Sequence, residues 1–201
     1  MRLLLAIFIL LLCAQQSHAE CDCLWRGSFS EVQAATDLVV SGRVVAAAGN
    51  SIDLRISRLL RGEAHHETIR VWLKTADYCR PEPTLFPLES DWVMALNRIT
   101  EAIPGGFNPG TPNVSYGRVG DYSLSSCGGY WLRSRGDRVT GNLVDGPRWD
   151  YEPPMTPVLL DLVADYVRGD LGRASLQRAS AIDPKLRELM LDTRSFIKNE
   201  K

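Results

Sequence analysis

Asp37-Leu38-Val39-Val40-Ser41-Gly42-Arg43-Val44-Val45 is followed, beyond the turn dipeptide Gly49-Asn50, by Ser51-Ile52-Asp53-Leu54-Arg55-Ile56-Ser57-Arg58-Leu59-Leu60. The first run is rich in β-branched residues. The second alternates, with Ile52, Leu54, Ile56 and Leu59 on one face against Asp53, Arg55 and Ser57 on the other, the period-2 pattern of a half-buried strand. Together they predict a long antiparallel hairpin. Moving outward, Glu67 to Lys74 alternates again, with Ile69, Val71 and Leu73 opposite Arg70, Trp72 and Lys74. A loop holding Pro81, Pro83 and Pro87 leads to Asp91-Trp92-Val93-Met94-Ala95-Leu96, which reads as a buried strand. Thr100 to Gly120 is a Pro- and Gly-rich loop of a length uncommon inside a compact domain. Tyr122 to Arg133 and Arg138 to Val144, around Gly136-Asp137, form a last hairpin, and Ser30 to Ala35 predicts a short helix.

The end of the chain changes character. Thr156-Pro157 predicts a helix start and Gly169 a stop, with Leu159, Leu162, Val163, Tyr166 and Val167 along one face between them. Asp183-Pro184 predicts a second start, with Leu186, Leu189, Met190 and Ile197 near one face. Strands followed by helices predict a mainly β protein: a small closed barrel with one or two C-terminal helices packed on it.

The chain has 201 residues, 45% of them hydrophobic, with a net charge of −1. A charge so near zero, with no basic cluster, gives no electrostatic footprint for nucleic acid. Residues 1–19 read as a secretory signal: Arg2, then an apolar run from Leu3 to Ala14, then a polar stretch ending in Ala19. The apolar run is shorter than the ~20 residues of a membrane span, so no transmembrane segment is expected after cleavage. Cleavage removes Arg2, which moves the net charge to −2, and Cys13, which leaves Cys21, Cys23, Cys79 and Cys127. The protein is therefore expected to be exported, periplasmic or secreted. The expected division is residues 1–19 signal, 20–144 barrel and 145–201 helical extension.

Four cysteines in an exported chain predict two disulfides, with three pairings open. Cys21 and Cys23, two apart in an extended segment, are expected to point apart. They should pair with two distant partners, Cys79 and Cys127, rather than with each other. Each bridge would close a loop of many tens of residues and contribute ~4 kcal/mol in the chain-entropy view.

Cys-x-Cys at the mature start, the Asp-Leu-Val-Val-x-Gly-x-Val-Val strand, a second alternating strand ending in Leu-Arg-Gly, and a cysteine loop before Trp92 to Leu96 occur in this order. The arrangement resembles the netrin-like fold of the tissue inhibitors of metalloproteinases and of secreted bacterial proteins in that superfamily, over Cys21 to Val144. The resemblance implies a five-stranded OB-type barrel with Cys21 bridged to Cys79 and Cys23 to Cys127. In those inhibitors the free amine and carbonyl of the first cysteine chelate the protease zinc. Here Glu20 precedes Cys21 if the signal is cut after Ala19, which would turn that amine into an amide. Asp22, next to it, is a costly charge to bury in a protease pocket.

No Gly-x-Ser-x-Gly, His-Glu-x-x-His, phosphate loop or dinucleotide fingerprint occurs. The mature histidines, His65 and His66, are adjacent, which leaves a His-based triad without a second site. Trp72, Trp92 and Trp131 lie on predicted strands and read as packing. Taken together the residues predict a non-catalytic binding module without a cofactor or metal. Its contacts are expected along Cys21, Asp22, Cys23, Leu24 and Trp25 and in the long loop, including Phe107 and Asn108. The expected partner is an extracytoplasmic protein, a metalloprotease among the candidates, or a glycan. The alternative is a small envelope hydrolase or a metal-handling protein with Cys and His ligands.

Overall fold

A computed structural model describes residues 21–75, 78–102 and 115–185. The two decisive runs form β1 (Leu38–Ala48) and β2 (Ser51–Arg61), paired antiparallel from Ala48 opposite Ser51 back to Val39 opposite Arg61. Gly49 takes a φ of +57° in the two-residue turn between them, the sign that hairpin turns of this length favour. The pairing shifts register at three places along β1. Such bulges increase local twist, and β1 curls until its other edge, Leu38 to Arg43, pairs with Leu96 to Asp91 of β4 (Asp91–Arg98).

β3 (Thr68–Trp72) continues the sheet antiparallel to β2. Tyr122–Ser123, β5, then closes it with only two residues. They run parallel to Val71 and Trp72 on one side and antiparallel to Arg98 and Asn97 on the other. The circuit β1-β2-β3-β5-β4-β1 is a closed five-stranded barrel with OB-type strand order. Val39, Ile52, Leu54, Val71, Val93 and Leu96, on its strands, are fully buried. Five consecutive residues are buried in both β1 and β4, so both faces of these strands are covered.

The stretch expected as one strand from Tyr122 to Arg133 is divided. β6 (Trp131–Arg135) pairs with Met94 to Asp91, but the register between β5 and β6 has slipped, and the intervening residues leave the sheet as an excursion that carries Cys127. β7 (Arg138–Thr140) follows and ends earlier than expected. Gly141 has φ +139°, and the next two carbonyls, of Asn142 and Leu143, accept from the N–H groups of Phe29 and Ser30. Those groups open the short helix α1 (Phe29–Val32), which passes into a 3-10 turn at Gln33–Ala35.

The expected helix start at Thr156-Pro157 is displaced. Val158–Leu159 forms β8 on the free edge of β7, and the Leu160 N–H donates to the Asp137 carbonyl, so α2 begins only at Leu160 and runs to Arg168. A competing partner for the backbone overrides the N-terminal signal. Leu159 accordingly lies on a strand and not on the helix face. Gly169, with φ +90°, ends α2 as expected. Val163, Ala164 and Val167 join the same core as the barrel. A further helix, α3 (Arg173–Ser180), buries Leu176, and Ser180 and Ala181 offer their carbonyls to the Thr156 N–H and hydroxyl. The helix expected from Asp183-Pro184 lies mostly outside the described residues, as do the signal segment and Phe107 and Asn108. Among the described residues no helix is long and apolar enough to cross a membrane.

Candidate functional site

Residues 21–28 form an extended arm with alternating exposure: Asp22, Leu24 and Arg26 face outward, and Cys21, Cys23 and Trp25 are half-buried. Cys21 is bridged to Cys79 and Cys23 to Cys127, the pairing that the family resemblance implies. The two arm cysteines do not point apart, contrary to expectation. Alternate residues of an extended chain share a face, and their Sγ atoms lie 4.0 Å from each other. Their partners differ because two loops meet under the arm. All four sulfurs fall within 4.8 Å of one another. Four thiolates so placed could surround a tetrahedral zinc ion, but a sulfur in a disulfide offers no thiolate.

Backbone bonds add to the bridges. The Arg26 N–H donates to the Cys127 carbonyl at 2.7 Å, and the Gly129 N–H to the Gly27 carbonyl at 2.9 Å. This contact needs glycine at both points. A Cβ on Gly129 would sit 2.9 Å from the Phe29 nitrogen, and one on Gly27, where φ is +128°, would sit 2.5 Å from the Glu31 carboxylate. That carboxylate accepts from the Ser28 N–H at 2.8 Å and the Ser28 hydroxyl at 2.9 Å, and it pairs with Arg173 at 3.2 Å. Burial opposes its ionisation, but the Ser28 bonds and Arg173 outweigh it, so the Glu31 carboxyl is held below its ordinary value. The arm is thereby tied to the barrel, to α1 and to α3.

Leu24, on the outer side of this arm, is 88% exposed, more than any other large hydrophobic residue described. Beside it Trp25 meets Trp149 edge-on at 5.4 Å and Tyr151 at 5.8 Å. Tyr151 stacks on Trp131 at 4.4 Å and donates its hydroxyl to the Ser126 carbonyl, and burial raises its phenol above the usual value. Trp149 is 50% exposed and has φ +64°, a conformation uncommon for a bulky residue. Trp149 is absent from the sequence-based set, although an aromatic pair inside the turn-rich run Asp145-Gly146-Pro147-Arg148-Trp149-Asp150-Tyr151 is a usable signal. Trp72, Trp92 and Trp131 are buried, as expected of packing residues.

Near Cys79, the Arg80 guanidinium lies 4.7 Å over the Tyr78 ring and donates to the Tyr116 carbonyl at 2.8 Å. Burial lowers its proton affinity and Tyr78 partly restores it. His65 and His66 belong elsewhere, to a pocket walled by β2, β3 and the residues before β5.

Chemically, the arm offers a stapled ridge with an exposed apolar side chain, Leu24, between the charged Asp22 and Arg26. In comparisons with known proteins, the chain matches no family model, no curated protein and no solved structure.

Proposed function

We propose that this protein is an exported, non-catalytic binding module of the netrin-like OB class that grips an extracytoplasmic protein with the ridge Cys21–Trp25. The observation that carries this reading is the exposure of Leu24 on an arm tied down by two disulfides. Exposed apolar side chains scattered singly carry little meaning, but one held on a disulfide-stapled arm, next in sequence to a Trp25 that packs on Trp149, is a preorganised apolar anchor. Aromatic and aliphatic anchors of this kind dominate protein interfaces. The polar residues around it, Asp22 and Arg26, suit an interface rim. The strand circuit and the Cys-x-Cys arm support kinship with the netrin-like inhibitors. Zinc chelation by the Cys21 amine applies only to a chain that begins at Cys21. N-terminal sequencing of the mature protein decides that point, and Glu20 as first residue refutes it. The binding role is tested by affinity capture from the extracytoplasmic fraction. A protein retained saturably supports the reading, and recovery of no saturable protein, or of glycan alone, overturns it.

A further inference from the structure

We propose that the pocket at the seam of β3 and β5 binds a small organic anion, a carboxylate or phosphate group carried on an apolar body. The cavity measures about 510 Å³, inside the range of about 300 to 1,000 Å³ typical of small-molecule sites. None of its lining residues belongs to the ridge, so this proposal stands or falls separately from the binding role above.

The hydrogen-bond inventory of the lining selects the ligand. Asp53 and Asp121 line the pocket, and every carboxylate oxygen of the two is already occupied. Asp53 accepts from Nε and Nη2 of Arg70 at 2.7 and 2.9 Å, and Asp121 from Nη2 of Arg118 at 3.1 Å and from Nε1 of Trp72 at 2.9 Å. Donors are in surplus. Nη1 of Arg70 and the remainder of the Arg118 fork still have hydrogens to give. Arg98 lies exposed at the end of β4 and has no acid partner among the described residues; Asp37 binds only its backbone N–H. Three guanidinium groups therefore face two carboxylates whose oxygens each already accept one of these bonds, and the exposed His65 and His66 line the same pocket. A group that brings acceptors and negative charge, and no donors, completes this lining. The two aspartates hold Arg70 and Arg118 in place beforehand, which lowers the ordering cost of binding. Ile69, Val119 and Tyr122 supply an apolar wall for the body of the ligand.

The test is a titration of the full chain with benzoate, inorganic phosphate and benzyl alcohol, followed by backbone amide NMR shifts. Saturable shifts at Arg70, Val119 and Tyr122 with benzoate or phosphate, and none with benzyl alcohol, are expected. The more strongly bound anion identifies the head group. Arg98→Ala should weaken that binding about tenfold or more, the loss of a charge-assisted hydrogen bond, while Arg135→Ala, an exposed arginine on β6, leaves it unchanged. An unchanged melting temperature of Arg98→Ala establishes that the loss is local. Shifts that remain linear to about 50 mM with both anions, equal response to benzyl alcohol, or undiminished binding by Arg98→Ala would overturn the proposal.

Discussion

Replacing Cys23 and Cys127 together by alanine should lower stability by about 4 kcal/mol in the chain-entropy account of cross-links. The two cysteines are 104 residues apart in sequence, but the Cys21–Cys79 bridge, of separation 58, offers a shorter covalent path between them. Through that bridge the loop closed by Cys23–Cys127 has about 50 residues, and the logarithmic dependence on length keeps the effect near 4 kcal/mol. For a domain of this size each kcal/mol shifts the melting temperature by roughly 2 to 4 °C, so a fall of about 8 to 16 °C is expected by calorimetry. The substitutions remove no group that makes the other contacts of the arm: the Cys21–Cys79 bridge and the backbone bonds of Arg26 to Cys127 and Gly129 to Gly27. A fall of less than about 4 °C, roughly 1 kcal/mol, would show that these bonds, the Trp25 contacts and the Cys21–Cys79 bridge hold the arm without the second bridge. The reasoning that makes the Cys23–Cys127 bridge a main source of the ridge's rigidity would then be wrong.

Three other perturbations probe the same architecture. Gly27→Ala puts a Cβ against the Glu31 carboxylate at a positive φ, and a loss of about 1 to 3 kcal/mol in urea unfolding is expected; a neutral result would show that the arm relaxes freely. Trp72→Phe removes the indole N–H that Asp121 accepts, for an expected cost of about 1 to 3 kcal/mol, measured by the same transition. Glu31 is held below its ordinary value, so its contribution is fully present above the unfolded-state value and is lost as pH falls through the lowered one. Glu31→Gln should therefore flatten the decline of the urea midpoint on acidification; an unaltered slope would assign that decline to other carboxylates.

The barrel was legible because strand alternation is a local property. The β-branched run of β1, the period-2 runs of β2 and β3 and the apolar run of β4 each stand in the sequence and form strands where it places them. What was hidden depended on partners remote in sequence. The break between β5 and β6 exists because the arm docks there, through Cys127 and Gly129, and nothing in the run itself declares a visitor. β8 replaced the first turn of a well-signalled helix because β7 left an open edge. α3 escaped notice because Leu176 is its only buried residue, too little for an apolar stripe. At the ridge, the cysteines and Leu24 were readable from the arm itself, while Trp149 joins them only through the fold. The anion pocket draws on β2, β3, β4 and the residues before β5, segments that no spacing rule connects.

The central claim is that the apolar crest of the stapled arm engages a protein, and Leu24→Asp tests it most directly. Leu24 is 88% exposed, so the substitution should change stability by no more than about 0.5 kcal/mol. Affinity for the captured protein should nevertheless fall about 30-fold, the cost of losing an interface anchor worth about 2 kcal/mol. Leu59→Asp, at a half-exposed leucine on β2 outside the ridge, should bind as the unaltered protein does. Equal affinity for the unaltered protein and Leu24→Asp would contradict the account.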